Sequence, residues 1–149
     1  MNDQNSGKIV VGVDSSEPSK AALRWAVRQA ELTGASLRVV GSWYVPMPVT
    51  WIPVPEPKGW DLERATREKL DRTVLEVLGA EPAVPVQRVV VEGPPAQVLL
   101  DQAHDADLLV VGTRGHSQVI GILIGSVSEH SIAHADCPVV VVRSKDARR

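Results

Sequence analysis

Two groups of glycine and hydroxyl residues in the last third of the chain have the composition of an anion-binding loop. The first group is Gly112-Thr113-Arg114-Gly115, whose glycines stand three residues apart. Glycines let backbone N–H groups converge on a concavity that suits an anion, because no Cβ atom obstructs it. The second group, Gly125-Ser126-Val127-Ser128, follows after nine intervening residues and opens a predicted helix. Since a helix N-terminus favours phosphate, the two groups together predict a phosphate site.

The side chains beside these glycines support the same prediction. Ser126 is suited to cap the helix, and Glu129 three residues later would complete a capping box. The hydroxyls of Ser126 and Ser128 could donate to phosphate oxygens, and Arg114 adds a cation. The alternative is that the glycines serve only a tight turn and a helix start. The combination of both groups after a buried strand favours phosphate binding.

Other phosphate-binding patterns are missing from the sequence. No glycine is followed by lysine and then serine or threonine, as a P-loop requires. The first strand ends in Val11-Gly12-Val13-Asp14, which lacks both the dinucleotide fingerprint and the glycine- and serine-rich loop of nucleotide pyrophosphatases. The phosphate site therefore depends on the late glycine groups and on the polar turn Asp14-Ser15-Ser16 that follows the first strand.

Strands and helices alternate along the chain to position these loops. Apolar, β-branched runs predict buried strands, and helical spacing of apolar residues with capping signals predicts the helices between them. The predicted strands are 8–13, 35–42, 84–91, 107–111 and 138–143. The predicted helices run from Ser16 to a stop at Gly34, from an Asp61 cap to Leu78, from Gly93 to about His104, and from Ser126 to His134. This order predicts a single α/β domain with a parallel sheet and helices on both faces.

In an open parallel sheet, ligands bind at the carboxyl ends of the strands where the strand order reverses. If the first and fourth strands are neighbours, the Asp14 turn and the Gly112 loop face one crevice. The segment 43–59 contains five prolines and is long for a loop in a compact domain, which suits a lid or partner surface. Trp43, Trp51 and Trp60 lie in or beside it, and we expect them to cover an edge of the core rather than to stack on a ligand.

Composition excludes several classes of function. The chain has 149 residues, 44% hydrophobic and 23% charged, as expected for one globular domain. A net charge of −2 gives no general attraction to nucleic acid or to anionic membranes. Its apolar runs are too short for a membrane span, its first seven residues do not resemble a signal peptide, and it has one cysteine. These features indicate a cytoplasmic protein.

Few other side chains suggest chemistry. His130 and His134 stand four apart on a predicted helix, but no third ligand is evident, so surface or interface histidines are the preferred interpretation. Cys137 precedes an apolar strand and is interpreted as an inert core thiol. No Ser-His-Asp set is recognisable, and Asp14 has no second carboxylate for acid–base work. The sequence therefore predicts no catalytic residue.

The spacing of the glycine groups resembles the ATP-binding branch of the universal stress protein family. That branch carries Gly, two residues, Gly, nine residues, Gly and then Ser or Thr, which Gly112, Gly115, Gly125 and Ser126 match without a gap. The resemblance covers 8–143, leaving 1–7 and 144–149 as flexible tails. It implies a five-stranded, Rossmann-like sheet in the order 3-2-1-4-5. It also implies a homodimer joined through the fifth strands, 139–142, which would otherwise form an exposed apolar edge.

The resemblance also implies which residues meet a nucleotide. Asp14 would lie near the ribose and any magnesium, and the backbone near Ser42 would meet adenine. Ser15 departs from the glycine of many relatives, and a small backbone adjustment is expected there. The full set of implied nucleotide contacts is Val13, Asp14, Ser15, Ser42, Gly112, Arg114, Gly115, Gly125, Ser126, Val127 and Ser128.

The resulting hypothesis is a nucleotide-responsive homodimeric regulator of the stress response that binds ATP, with magnesium, and acts on a client protein. Two other classes stay open at this point. One is a slow ATPase or autophosphorylating enzyme, and the other is a dimeric scaffold without nucleotide. Cyclic AMP is an alternative ligand, because the residues on the adenine side do not exclude it.

Overall fold

The computed structural model describes residues 6–45, 58–113 and 126–144. Within these ranges five strands and four helices alternate, which confirms the predicted α/β order. The strands are β1 (Lys8–Gly12), β2 (Ser36–Trp43), β3 (Val86–Glu92), β4 (Leu108–Gly112) and β5 (Val139–Val142). The helices are α1 (Glu17–Thr33), α2 (Gly59–Leu78), α3 (Pro95–Gln102) and α4 (Ser126–His134). All strand pairs are parallel, in the order β3-β2-β1-β4-β5, as the family resemblance implies.

Apolar residues on both sides of the central strands explain why the sheet is covered on two faces. Val10 and Val11 are adjacent in β1 and fully buried, but they belong to different core clusters because successive strand residues point to opposite faces. Val11 packs in the cluster that holds Leu23 of α1 and Val74 of α2. Val10 packs with Leu99 of α3, which lies on the other face.

Both ends of α1 match the sequence signals, whereas the start of α2 does not. Ser16 caps α1 by accepting the Ser19 amide at 3.4 Å, and Gly34 ends the helix with φ of +74°. The predicted Asp61 cap of α2 is wrong. The helix begins at Gly59 after Lys58, which makes no side-chain cap, and Asp61 lies in the first turn. A Cβ at Gly59 would stand 3.1 Å from the ring of Trp43, so this glycine lets the helix start close against that ring.

Several predicted boundaries shift by one or two residues. β1 ends at Gly12, although the amide of the next residue, Val13, still donates to the Val40 carbonyl at 2.9 Å. β2 continues to Trp43, and α3 ends two residues before His104. Trp60, predicted beside the long loop, lies in α2 with 59% of its surface exposed. Within the described ranges, no helix combines the length and apolarity needed to cross a bilayer.

Candidate functional site

A cavity of about 580 Å³ opens at the carboxyl ends of β1, β2 and β4. Asp14 after β1, Gly112 at the end of β4 and Ser126 at the start of α4 all line it. The Asp14 turn and the end of β4 at Gly112 therefore share one crevice, because β1 and β4 pair directly. The described residues that line this cavity and belong to the predicted set are Val13, Asp14, Ser15, Ser42, Gly112, Ser126, Val127 and Ser128. Arg114, Gly115 and Gly125 lie outside the described residues.

The turn after β1 is held by hydrogen bonds to Asp14. Its carboxylate accepts the Ser16 amide at 3.0 Å and also the Ser16 hydroxyl, while its own amide donates to Ser19 Oγ at 3.3 Å. The same Ser16 caps α1, so the start of the helix and the orientation of Asp14 depend on each other. These hydrogen bonds fix the orientation of the Asp14 carboxylate in a turn that lines the cavity.

Ser15, where the family resemblance led us to expect a small backbone adjustment, has a left-handed backbone conformation. Its φ is +66°, the left-handed region that costs an L-residue about 1–2 kcal/mol.

We expect Ser15→Gly to raise the free energy of unfolding by about 1 kcal/mol in urea titration, because glycine adopts this conformation without strain. Ser36→Gly, in β2 at negative φ, is the control and should lower it. A lower free energy of unfolding in Ser15→Gly would contradict the interpretation that the Ser15 backbone is strained.

The first turn of α4 lines the cavity with Ser126, Val127 and Ser128, of which Ser126 is exposed. The predicted role of Ser126 as the cap of this helix is wrong, because Ser126 already lies inside α4. Ser128 is buried and its hydroxyl donates to the Gly112 carbonyl, which ties α4 to the end of β4. The exposed Ser126 hydroxyl and the helix amides are thus the groups best placed to meet an anion.

The wall formed by α2 is the part of the cavity that the sequence analysis missed. Thr66 and Lys69 line the cavity beside Gly41, and Tyr44 lines it after β2. Ala65 is exposed, whereas the next residue, Thr66, has its Cγ2 atom 3.5 Å from the position of a Cβ on Gly41. The i, i+4 series through Leu70 could have identified Thr66 as the residue facing the sheet.

Few charged side chains line the cavity in the described part of the chain. Asp14 and Lys69 are the charged residues that line it there, and within those ranges no group of three metal-ligating side chains could hold an ion. Neither Trp43 nor Trp60 is among the described lining residues.

Cys137 packs at the edge of the core, away from the described lining of this cavity. Burial, followed by the charge of Asp136, raises the pKa of its thiol. A raised pKa leaves less thiolate, which agrees with an inert role.

Comparison with known proteins finds the same fold and sequence pattern elsewhere. The profile of the universal stress protein family matches residues 5–143. Universal stress protein Rv2623 of Mycobacterium tuberculosis is 36% identical over 146 residues, covering 93% of this chain and 48% of the relative. The chain thus spans about half the length of the curated relatives it matches.

Two solved structures superpose on nearly the whole chain. The universal stress protein UspA from Lactobacillus plantarum has a TM-score of 0.70 at 25% identity, with 92% of this chain and 97% of that protein covered. A universal stress protein solved in complex with cAMP has a TM-score of 0.61 at 25% identity, with coverage of 94% and 98%.

Proposed function

Because the chain belongs to the universal stress protein family, we propose that its 580 Å³ cavity binds an adenine nucleotide, with ATP and Mg²⁺ as the physiological ligand. The observation that carries this proposal is the meeting of the Asp14 turn with the first turn of α4 in one crevice. One side offers a fixed carboxylate suited to a ribose or a phosphate-bound cation. The other offers helix amides and a hydroxyl suited to phosphates.

Each part of the nucleotide has a matching region of the cavity under this proposal. Adenine would lie at the end of β2 near Ser42, between the apolar side chains of Leu70 and Leu99. The ribose and magnesium would lie at Asp14. The phosphates would reach Ser126 and the glycine loop, where Arg114, Gly115 and Gly125 contribute through the sequence motif. Val13, Ser15, Gly112, Val127 and Ser128 complete the wall.

The proposed role is a cytoplasmic, homodimeric regulator in which nucleotide occupancy changes the affinity for a client protein. A positioned base is not recognisable beside the phosphate end in the described part of the cavity, so we assign no hydrolytic step. Cyclic AMP is the second candidate ligand, because a relative at 25% identity was solved with it. The single cysteine among 149 residues supports the cytoplasmic assignment.

Isothermal titration of the nucleotide-free chain with ATP and Mg²⁺, ADP, cAMP and GTP tests the proposal. We expect one site per chain, with ATP bound more tightly than GTP. Tighter binding of cAMP than of ATP would assign the cavity to the cyclic nucleotide instead. Absence of heat with every adenine nucleotide, together with no nucleotide in the mass spectrum of the denatured protein, would refute the proposal.

Ser126→Ala is expected to weaken ATP binding by about tenfold to a hundredfold, because a hydrogen bond to a charged phosphate is worth about 1.5–3 kcal/mol. The matched control is Ser36→Ala. Ser36 lies at the amino end of β2, so it is at the end of the strands that is opposite the cavity. The control should bind like the unmodified chain. Equal affinities of the two variants would show that the Ser126 hydroxyl does not contact the phosphates.

A further inference from the structure

The α2 wall of the proposed nucleotide cavity brings one hydroxyl oxygen next to the place assigned to adenine. Thr66 lines the cavity, and its Cγ2 atom lies 3.5 Å from the position of a Cβ on Gly41. Leu70, one helical turn later on the same face of α2, lies 3.7 Å from that position and is buried. Thr66 therefore packs over Gly41, the neighbour in β2 of Ser42, where the base is proposed to bind.

The Thr66 hydroxyl has only acceptor capacity left. It donates its proton to the Leu62 carbonyl at 2.8 Å, one turn earlier in α2. A hydroxyl oxygen that donates keeps its acceptor lone pairs, and among the described residues none donates to this oxygen. Because α2 connects the parallel strands β2 and β3, its first turns lie at their carboxyl ends. The bond to Leu62 thus directs the Thr66 oxygen toward the end of the sheet where the cavity opens.

The backbone of Ser42 adds a donor and an acceptor at the same place. The Val40 carbonyl accepts the Val13 amide at 2.9 Å, so Val40 bonds toward β1. Alternate residues of a parallel strand bond to the same side, so the N–H and C=O groups of Ser42 point the same way. The register of β1 with β2 ends at the pair of Gly12 and Val40. In the described part of the chain Ser42 therefore lies beyond the last pair, with these groups directed to the cavity that it lines.

We propose that Thr66 is a specificity-determining residue that selects a purine with an amino group at C6, an inference that rests on the proposed nucleotide function. Adenine carries this amino group, with two hydrogens, beside the acceptor N1. The Ser42 N–H donates to N1, the Ser42 carbonyl accepts one amino hydrogen, and Thr66 Oγ1 accepts the other. Guanine and hypoxanthine have an oxygen at C6, which would face two acceptors with no proton between them. A site that pairs with an N–H group disfavours the analogue that lacks it.

Calorimetric titration of the full chain with ATP and with ITP, both with Mg²⁺, tests this selection. The two ligands share ribose and phosphates and differ in the base, which is hypoxanthine in ITP. We expect the unmodified chain to bind ATP about tenfold or more tightly than ITP. In Thr66→Val this affinity ratio should fall by about threefold to tenfold, because valine keeps the shape but removes one acceptor. Thr66→Ser, which restores the oxygen, should recover the ratio of the unmodified chain.

Thr73→Val is the matched control. The Thr73 hydroxyl donates to the Lys69 carbonyl at 2.9 Å, one turn earlier in the same helix, as the Thr66 hydroxyl does to Leu62. Thr73 is not among the described residues that line the cavity, so Thr73→Val should keep the affinity ratio of the unmodified chain. Because both ligands are measured on the same variant, a loss of folded protein cancels from the ratio.

The outcomes separate this inference from the proposed function. An unchanged ratio in Thr66→Val would overturn selection by Thr66 and leave the nucleotide site in place. Equal falls in Thr66→Val and Thr73→Val would also overturn it, because a general change in the packing of α2 would then be the cause. If the unmodified chain binds no adenine nucleotide, the proposed function fails and the inference fails with it. If cAMP is the tighter ligand, the same comparison uses cAMP and cyclic IMP, which differ in the same base.

Discussion

Gly112→Ala is expected to lower the free energy of unfolding by about 3 kcal/mol, because β4 meets the first turn of α1 at this residue. A Cβ on Gly112 would lie 2.6 Å from the carbonyl carbon of Pro18 and 2.7 Å from its carbonyl oxygen. These are backbone atoms and cannot move aside as a side chain can. Urea titration measures the loss, and thermal melting should show about 2–4 °C per kcal/mol for a chain of this size.

The same substitution is expected to weaken nucleotide binding more than tenfold. The Gly112 carbonyl accepts the Ser128 hydroxyl, and Pro18 lies in the helix that Ser16 caps beside Asp14. Any shift that relieves the clash therefore displaces one of the two sides of the proposed site. Measurement of ATP affinity under conditions where the variant is fully folded separates this effect from the loss of stability.

Gly41→Ala provides the matched comparison for stability. Gly41 is a buried strand glycine that lines the same cavity, but a Cβ there would stand 3.5 Å from Thr66 Cγ2, an ordinary contact distance. We expect its free energy of unfolding to change by less than about 1 kcal/mol. Equal losses in Gly41→Ala and Gly112→Ala would show that the close approach to Pro18 does not determine the effect.

The order of elements could be predicted from the sequence because local signals agree with the fold. Short β-branched runs alternate with helical periods, and Ser16 and Gly34 mark the ends of α1 by their own chemistry. The strand order itself came from the family resemblance, since parallel pairing joins residues such as Val10 and Leu109 that are far apart in the chain.

The parts that the sequence did not reveal depend on contacts between distant residues. The requirement for glycine at position 112 arises from Pro18, and the role of the Ser128 hydroxyl arises from the Gly112 carbonyl. Both contacts bring together residues that are separate in the sequence. On α2, Thr66 rather than Ala65 lies on the buried side. These two neighbours are only about 100° apart around the helix, and packing determines which of them is buried.

The proposed homodimer leads to a prediction about the strength of dimerisation, which depends on the free edge of β5. The carbonyls of Pro138 and Val142 accept amides from Leu109 and Thr113, so the even-numbered residues of β5 bond to β4. In a parallel ladder alternate residues bond to opposite sides, which directs the N–H and C=O groups of Val141 away from β4. In the described part of the chain no strand pairs with that edge. A second copy would therefore bond to Val141.

Val141→Pro is expected to weaken dimerisation about a hundredfold or more, because proline removes the outward N–H from each copy while sparing the bonds to β4. Sedimentation velocity over a range of concentrations measures the shift from twice the chain mass to the chain mass. Val141→Ala, which keeps the N–H but loses side-chain packing, should still dimerise. A dimer that persists in Val141→Pro would place the interface on another surface. If the unmodified chain is a monomer even at high concentration, the homodimer is not part of the proposed function.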